Sequence, residues 1–404
     1  MIRRWLLPDD VEPSALPLLV ARALRAFADG FIAVLLPAYL LALGLSTLDV
    51  GILSTATLLG SALATLAVGA WGYRAQHRHL LLGAALLMAT TGLFFSVLSS
   101  FWPLLLIAFV GTLNPSSGDV SVFLPLEHAR LAEAAKGHSR TALFARYSLL
   151  GSLFAAVGAL ASGIPDGLAE WTGMTQLSAL RLMFALYGVV GGAVWLLYRR
   201  IPASTDAVQM PPTPLDASRS IVIKLASLFS LDAFAGGLII NSLMALWLFQ
   251  RFDFSLAAAG SFFFWAGLLT ALSQLAAPWV AARIGLINTM VFTHIPANIC
   301  LILAAFAPSL ELTIVLLFVR ALLSQMDVPT RSAFVMSVVT PGERAAAASF
   351  TAVPRSLAAA ISPTLGAAML ASGWLAAPLV ACGVLKIVYD LAIWRAFSKH
   401  QENG

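Results

Sequence analysis

Charge is scarce in this chain of 404 residues: lysine, arginine, aspartate and glutamate together make up 11% of it, against about a quarter in ordinary soluble domains. So few charges cannot cover a water-facing surface, which excludes a soluble globular protein. Cysteine is scarcer still, with Cys300 and Cys382 the two in the sequence. Both lie inside apolar stretches, where a thiol behaves as a small hydrophobe, so neither a disulfide nor a metal site is expected. No set of His, Cys, Asp or Glu has metal-ligand spacing, and there is no Walker loop, no Gly-x-Ser-x-Gly elbow and no His-Glu-x-x-His helix. ATP-driven transport and membrane proteolysis lose support, and the chain reads as neither an enzyme nor the holder of a cofactor. Long polar segments are missing away from the ends, apart from the centre, which leaves no room for a soluble catalytic domain or a receptor domain. Near the start, Pro8-Asp9-Asp10-Val11-Glu12-Pro13 interrupts before a signal-peptide core can form, so the first residues are expected to stay as a cytoplasmic tail.

Hydrophobic residues are abundant, supplying 60% of the chain. They fall in repeated stretches of about 20, each long enough to cross an apolar layer of about 30 Å as a helix. A β-barrel would show short alternating segments instead. The pattern predicts spans at 16–43, 49–72, 79–98, 102–124, 141–163, 178–198, 220–249, 256–282, 287–307, 310–330, 345–371 and 374–396. The fourth contains Asn114-Pro115-Ser116-Ser117-Gly118-Asp119 and is expected to be a kinked helix, because a bundle tolerates proline and glycine where neighbours satisfy the freed backbone groups. Residues 199–219, rich in proline, serine and threonine, read as a cytoplasmic linker between an N-terminal half, 1–198, and a C-terminal half, 220–404.

The formal charge of +5 would suggest nucleic acid in a soluble protein. Here about fifteen basic residues, Arg130 and Arg331 among them, fall at one set of span ends, which by the positive-inside rule puts both termini in the cytoplasm. The expectation is a multi-pass protein of the cell inner (plasma) membrane, a monomer in the lipid bilayer with no nucleic-acid partner.

The chain is also written twice. Landmarks recur at an offset of about 208 residues: Phe27-Ala28-x-Gly30 as Phe234-Ala235-x-Gly237, Arg74 as Arg283, Asp119 as Asp327, Arg146 as Arg355, and Ala161-Ser162-Gly163 as Ala371-Ser372-Gly373. Six spans, a polar centre and six more spans, with both ends inside, resemble the major facilitator superfamily of secondary transporters over essentially the whole chain. That family carries Gly-x-x-x-Asp-Arg-x-Gly-Arg-Arg between its second and third helices. Here the segment reads Gly69-Ala70-Trp71-Gly72-Tyr73-Arg74-Ala75-Gln76-His77-Arg78. Gly69, Arg74 and Arg78 match, whereas Tyr73 replaces the aspartate and Gln76 the second glycine. The second copy keeps Arg283 and Gly285. Members that exchange drugs for protons often have a Gly-Pro signature in the fifth helix; span 5 has Gly151, Gly158 and Gly163 without the proline, while span 11 has Pro363-x-x-Gly366.

The resemblance implies an all-α membrane bundle of twelve transmembrane helices in two pseudo-symmetric halves that rock in alternating access. It also implies a cytoplasmic gate of charge pairs in which Arg74 or Arg78 meets Asp119 or Glu127.

Counted from the span starts at about 1.5 Å per residue, Asp29, Asp232, Arg320 and Lys386 lie near mid-depth, where ionisable groups are costly and mark substrate or ion paths. A carboxyl in a partly dry cavity holds a proton more readily than one in water, so alternating exposure can load it on one side and empty it on the other. Asp29 and Asp232 are the proton-coupling candidates, with an intrahelical pair to Arg25 as the bland alternative for Asp29. Arg320, Asn241 and Gln325 are the substrate-binding candidates, and a buried structural pair is the alternative for Arg320. Lys386 and Asp390, four apart, read as a structural pair; His294 and Asn298 read as polar groups satisfied by a neighbouring helix. Asp119 with Arg146, and Asp327 with Arg355, read as latches across helix hairpins, completing with Arg283 the gate set.

Together these readings point to proton-coupled efflux of a small amphipathic or hydrophobic solute. The alternatives are a proton-coupled importer of a small organic anion anchored by Arg320 and Arg355, or a lipid-handling or sensory membrane protein that concentrates nothing.

Overall fold

A computed structural model describes Leu7, residues 11–71, 76–116, 121–135 and 137–202, Asp216, and residues 218–340 and 343–398. Backbone groups in hydrocarbon find no water, so each apolar segment must satisfy its own N–H and C=O groups, and a helix does so within one segment. Among the described residues the chain forms sixteen α-helices and no strand. In order they are α1 (Ala15–Ala42), α2 (Thr47–Trp71), α3 (His77–Val97), α4 (Phe101–Val110), α5 (Phe123–Ala134), α6 (Gly137–Leu160), α7 (Ile164–Thr172) and α8 (Gln176–Arg199). There follow α9 (Arg219–Gly237), α10 (Asn241–Phe252), α11 (Leu256–Ile284), α12 (Leu286–Phe306), α13 (Leu310–Ser324), α14 (Asp327–Val338), α15 (Arg344–Ala371) and α16 (Ala377–Phe397). Among the described residues, nine stretches are long and apolar enough to cross a membrane by length and composition.

Three expected spans are broken rather than continuous. The fourth is not one kinked helix: α4 stops at Val110, and α5 begins at Phe123. Between them the side-chain oxygen of Asn114 accepts from the backbone N–H and the hydroxyl of Ser116, at 3.2 and 2.8 Å. That local turn competes with the helical ladder for the same backbone groups. The seventh span breaks at Leu238–Ile240 after a glycine pair, and the tenth at Gln325 and Met326. The fifth instead runs on through a single 3-10 turn, Ala161–Gly163, into α7.

Contacts divide the chain into two compact units, residues 1–209 with 253–264, and residues 210–252 with 265–404. In the first, α1 packs on α6 and α8, α3 on α8, and α2 on α4. The Ser162 hydroxyl donates to the Leu256 carbonyl, at 3.3 Å, which ties the start of α11 to this unit. In the second, α9 packs on α15 and α16, and α12 on α13, α14 and α16. Its core gathers Val222, Leu225, Phe229, Ile287, Met290 and Tyr389.

Lipid gives helices no hydrophobic reason to associate, so close approach must come from small residues. A methyl group at Gly30 on α1 would collide with the Ala155 carbonyl of α6, and one at Gly158 on α6 with the Phe27 carbonyl of α1. The second unit repeats the crossing: a methyl at Gly237 meets Ser362 and Ala359 of α15, and one at Gly366 meets the Leu238 carbonyl. The Phe-Ala-x-Gly repeat of the sequence is therefore one side of a glycine-to-glycine helix crossing made once in each unit.

The surface carries Leu86, Leu93, Leu196, Leu275, Phe306 and Val388, all exposed, while Arg25, Glu127, Asp232, Asp327, Arg331 and Asp390 are buried. That is the reverse of a water-soluble protein and suits a solvent of acyl chains.

Candidate functional site

In the first unit, Arg22, Arg25 and Asp29 stand three and four residues apart on one face of α1. Arg25 reaches across to α5 and pairs with Glu127, which is 0% exposed. The same carboxylate accepts the hydroxyls of Tyr147 on α6 and of Tyr198 on α8, the latter at 2.6 Å. The Arg25 guanidinium also lies over the Phe123 ring, 4.1 Å from its centre, and Arg22 lies 5.1 Å over Tyr147. Asp29 is buried one turn further along α1, with Arg25 and Arg22 its nearest charges and the Asn114 side chain within reach of its carboxyl. Asp29 therefore shares its arginine rather than owning it, since the direct ion pair of Arg25 is with Glu127.

In the second unit, Asp232 of α9 is gripped by two cations, Arg331 of α14 at 3.0 Å and Lys386 of α16 at 2.6 Å. Arg331 also reaches Asp327, one turn before it, at 3.4 Å. Two carboxylates and two cations thus form a buried chain, Lys386–Asp232–Arg331–Asp327, with no net charge. A buried ion is tolerated when it is paired, which this chain achieves for each member, with hydrogen bonds from Arg331 and Lys386 to Asp232. Arg355 is exposed and close enough to feel Arg331, Asp232 and Asp327. Beside this chain of ion pairs, His294 of α12 bonds Asp390 of α16 at 2.9 Å.

The two clusters use the same kind of link with opposite sign. Arg25 on α1 to Glu127 on α5 is matched by Asp232 on α9 to Arg331 on α14. Arg25 and Asp232 are repeat mates by the Phe-Ala-x-Gly register, while Arg331 and Glu127 fall one turn apart in it.

The expected gate residues are dispersed. Glu127 is enclosed with Arg25 instead of facing Arg78, and Arg78 donates to the Arg199 carbonyl at 3.0 Å. Asp327 pairs with Arg331, its own-helix neighbour, and forms no ion pair with Arg355 among the described residues. Arg283 is exposed and stacked 3.8 Å over Trp279. Arg146 is half-buried on α6. Arg74 and Asp119 lie outside the described residues. Of the substrate candidates, Arg320 is half-buried on α13 with its Nε buried and without a partner, and its neighbouring titratable groups are Cys300 and Cys382. Asn241 opens α10 and Gln325 closes α13, both half-buried.

Reading the sequence missed Arg331, which it placed among the basic loop ends; the break at Gln325 and Met326 starts a new helix that carries it inward, 6% exposed. The signal was present as Asp327 and Arg331 at i,i+4. Lys386 and Asp390 are not partners of each other: Lys386 serves Asp232, and Asp390 serves His294. Tyr147 and Tyr198 had no sequence signal, since a tyrosine in an apolar span reads as core.

Known proteins share this fold. The pattern of the Major Facilitator Superfamily matches residues 18–323, and the chain belongs to that superfamily. An uncharacterized membrane protein of Saccharomyces cerevisiae, YJR124C, is 24% identical over 92% of this chain and 91% of its own. Among solved structures, a mutant of the nucleoside transporter NupG superposes with a TM-score of 0.75 at 15% identity, covering 95% of this chain and 100% of the other. A D-xylose–proton symporter gives 0.72 at 16%, covering 94% and 97%. The fold is that of a transporter, and the protein is a multi-pass membrane protein.

Proposed function

We propose that this protein is a proton-coupled secondary transporter that works by alternating access and exports a small amphipathic or hydrophobic solute. The observation that carries the reading is that each unit buries a carboxylate among cations on a membrane helix, Asp29 in one and Asp232 in the other. Ionisable groups so placed are expensive in hydrocarbon and persist where they move ions or substrates. Partner exchange around Asp29 and Asp232 links proton movement to the opening of the chain first to one side and then to the other. Export of an amphipathic solute is supported by the apolar, aromatic-rich spans, which offer few hydrogen-bonding groups to a sugar-like cargo. Arg74, Arg78, Asp119, Arg146, Arg283, Asp327 and Arg355 are proposed to act nearer the cytoplasmic ends, with both termini on that side of the plasma membrane.

The test is flux in proteoliposomes under an imposed pH gradient, with a hydrophobic cationic dye, a nucleoside, D-xylose and a small organic anion as probes. Gradient-driven movement of the dye is expected, and Asp29→Asn and Asp232→Asn each reduce it by about tenfold or more. Full flux in both variants refutes the coupling.

A second reading, import of a small organic anion, is favoured by one observation: the buried Nε of Arg320 has no partner. Anion flux abolished by Arg320→Ala, with both aspartate variants normal, would replace the first reading by the second.

A further inference from the structure

Gly151 on α6 is buried, yet it is not a further glycine of the α1–α6 crossing. A methyl group at Gly30 or Gly158 would strike backbone, the Ala155 and Phe27 carbonyls respectively. At Gly151 the three nearest atoms are instead Nε, Nη2 and Cζ of Arg22, 2.5 to 2.8 Å from where the methyl carbon would stand. What the missing side chain admits is the head of one arginine.

That head also lies over a ring. Arg22 Cζ is 5.1 Å from the centre of Tyr147, and Tyr147 precedes Gly151 by four residues, so the ring and the bare backbone occupy one face of α6, a turn apart. A guanidinium is planar and stacks on aromatic faces. A glycine beside the ring leaves room for that plane, and a Cβ removes it. The ring cannot follow the cation, because its hydroxyl is held by Glu127 and its edge packs on His128 of α5, with centroids 5.2 Å apart. The place matters because Arg25 and Arg22 are the cations nearest Asp29, and Arg25 is bound to Glu127. Displacing Arg22 changes the charge that Asp29 faces and leaves that ion pair intact.

We propose that Gly151 is a positioning residue for the Asp29 site: its missing side chain is the slot in which the Arg22 guanidinium lies over Tyr147, and any side chain there drives that cation out of its place beside Asp29. The inference rests on the transporter reading, in which Asp29 is a coupling group, and adds a residue of α6 that touches neither proton nor solute. Since the obstacle is the end of a flexible side chain, a methyl at Gly151 moves the arginine before it moves the helices. A methyl at Gly158 has no such outlet.

The experiment is fluorine NMR of full-length protein labelled with 3-fluorotyrosine in lipid nanodiscs, joined to flux of the hydrophobic cationic dye in proteoliposomes. The Tyr147 signal, one of six, is assigned by its loss in Tyr147→Phe. Arg22→Gln takes the cation from the ring and moves that signal. Gly151→Ala is expected to move it in the same direction, and to add nothing in the Arg22→Gln background. A Tyr147 signal unmoved by Gly151→Ala, or moved equally with and without Arg22, overturns the slot. Should Gly151→Ala fail to fold, the slender ammonium of Arg22→Lys is expected to restore folding in the double variant; a double variant that still fails overturns the slot as well. In the dye assay Gly151→Ala is expected to lower gradient-driven flux by about tenfold, with partial recovery on adding Arg22→Lys. Full flux beside a moved Tyr147 signal overturns the link to Asp29. Because the NMR arm contains no solute, a moved signal beside absent flux in the unsubstituted protein counts against the transport reading alone.

Discussion

Glu127 gathers the first unit's buried polar groups: one carboxylate takes an arginine and two tyrosine hydroxyls from three other helices. Removing one partner of a buried pair strands the other charge, at a cost of about 3–5 kcal/mol. Glu127→Ala is therefore expected to lower the unfolding temperature of the solubilised protein sharply, whereas Tyr198→Phe, which deletes one of several donors, costs about 1 kcal/mol. Equal losses in thermal denaturation would contradict the hub. Outside the membrane spans, Glu343 plays a smaller version of the part. It accepts the backbone N–H groups of Asp216 and Ser218 at 2.6 and 2.9 Å and the Thr340 hydroxyl at 3.0 Å. The Ser218 and Asp216 hydrogen bonds push its carboxyl down to about 2 from an ordinary value of 4.5. A depressed folded value means the contribution is complete above pH 4.5 and disappears as the pH falls toward 2. Acidification across that window should lower the unfolding temperature of the unsubstituted protein more than that of Glu343→Gln. Parallel melting curves would refute the clasp.

At the scale of helices, the glycine crossings carry the packing. Because the atoms facing Gly158 and Gly366 are backbone oxygens, no side chain can move aside, and a larger residue must push two helices apart. Gly158→Leu and Gly366→Leu are expected to destabilise by at least the ~1–3 kcal/mol typical of overpacking, while Gly83→Ala, where nothing lies within 4 Å, is tolerated; thermal unfolding of the three variants decides it. Most helices could be read from hydrophobic length, because a lipid solvent forces apolar runs into helices whatever their neighbours are. The breaks were passed over although local signals stood beside them. Gly111 caps α4, before the Asn114 turn, the seventh span breaks after Gly236 and Gly237, and Pro329 stands in the first turn of α14, where it offers no N–H to the Gln325 carbonyl. Every misplaced charge follows from those breaks or from partners on other helices: Arg331 sits inside since α14 is a new helix, and Lys386 ignores the carboxylate four residues away because Asp232 is nearer.

Over the whole molecule, internal duplication was visible in the order of landmarks, and what it means physically was not. Phe27-Ala28-x-Gly30 and its copy mark a contact between helices. The recurring Asp119 and Asp327 looked like latch partners of Arg146 and Arg355, yet Asp327 turns to Arg331 and leaves Arg355 exposed. Pairing is a property of three-dimensional neighbours, so a repeat in sequence transmits the scaffold more faithfully than the ion pairs built on it. Asp29 and Asp232 were found by depth alone, because a carboxylate in the middle of an apolar run stands out without any alignment.

The reversed polarity of the matched links has a consequence for how such a gene can be recombined. Grafting the α9 segment into the place of α1 would set an aspartate against Glu127, and the reciprocal graft would set Arg25 against Arg331. Each half has thus become committed to its own pole, so single helices cannot be traded between the halves unless the opposing helix travels too.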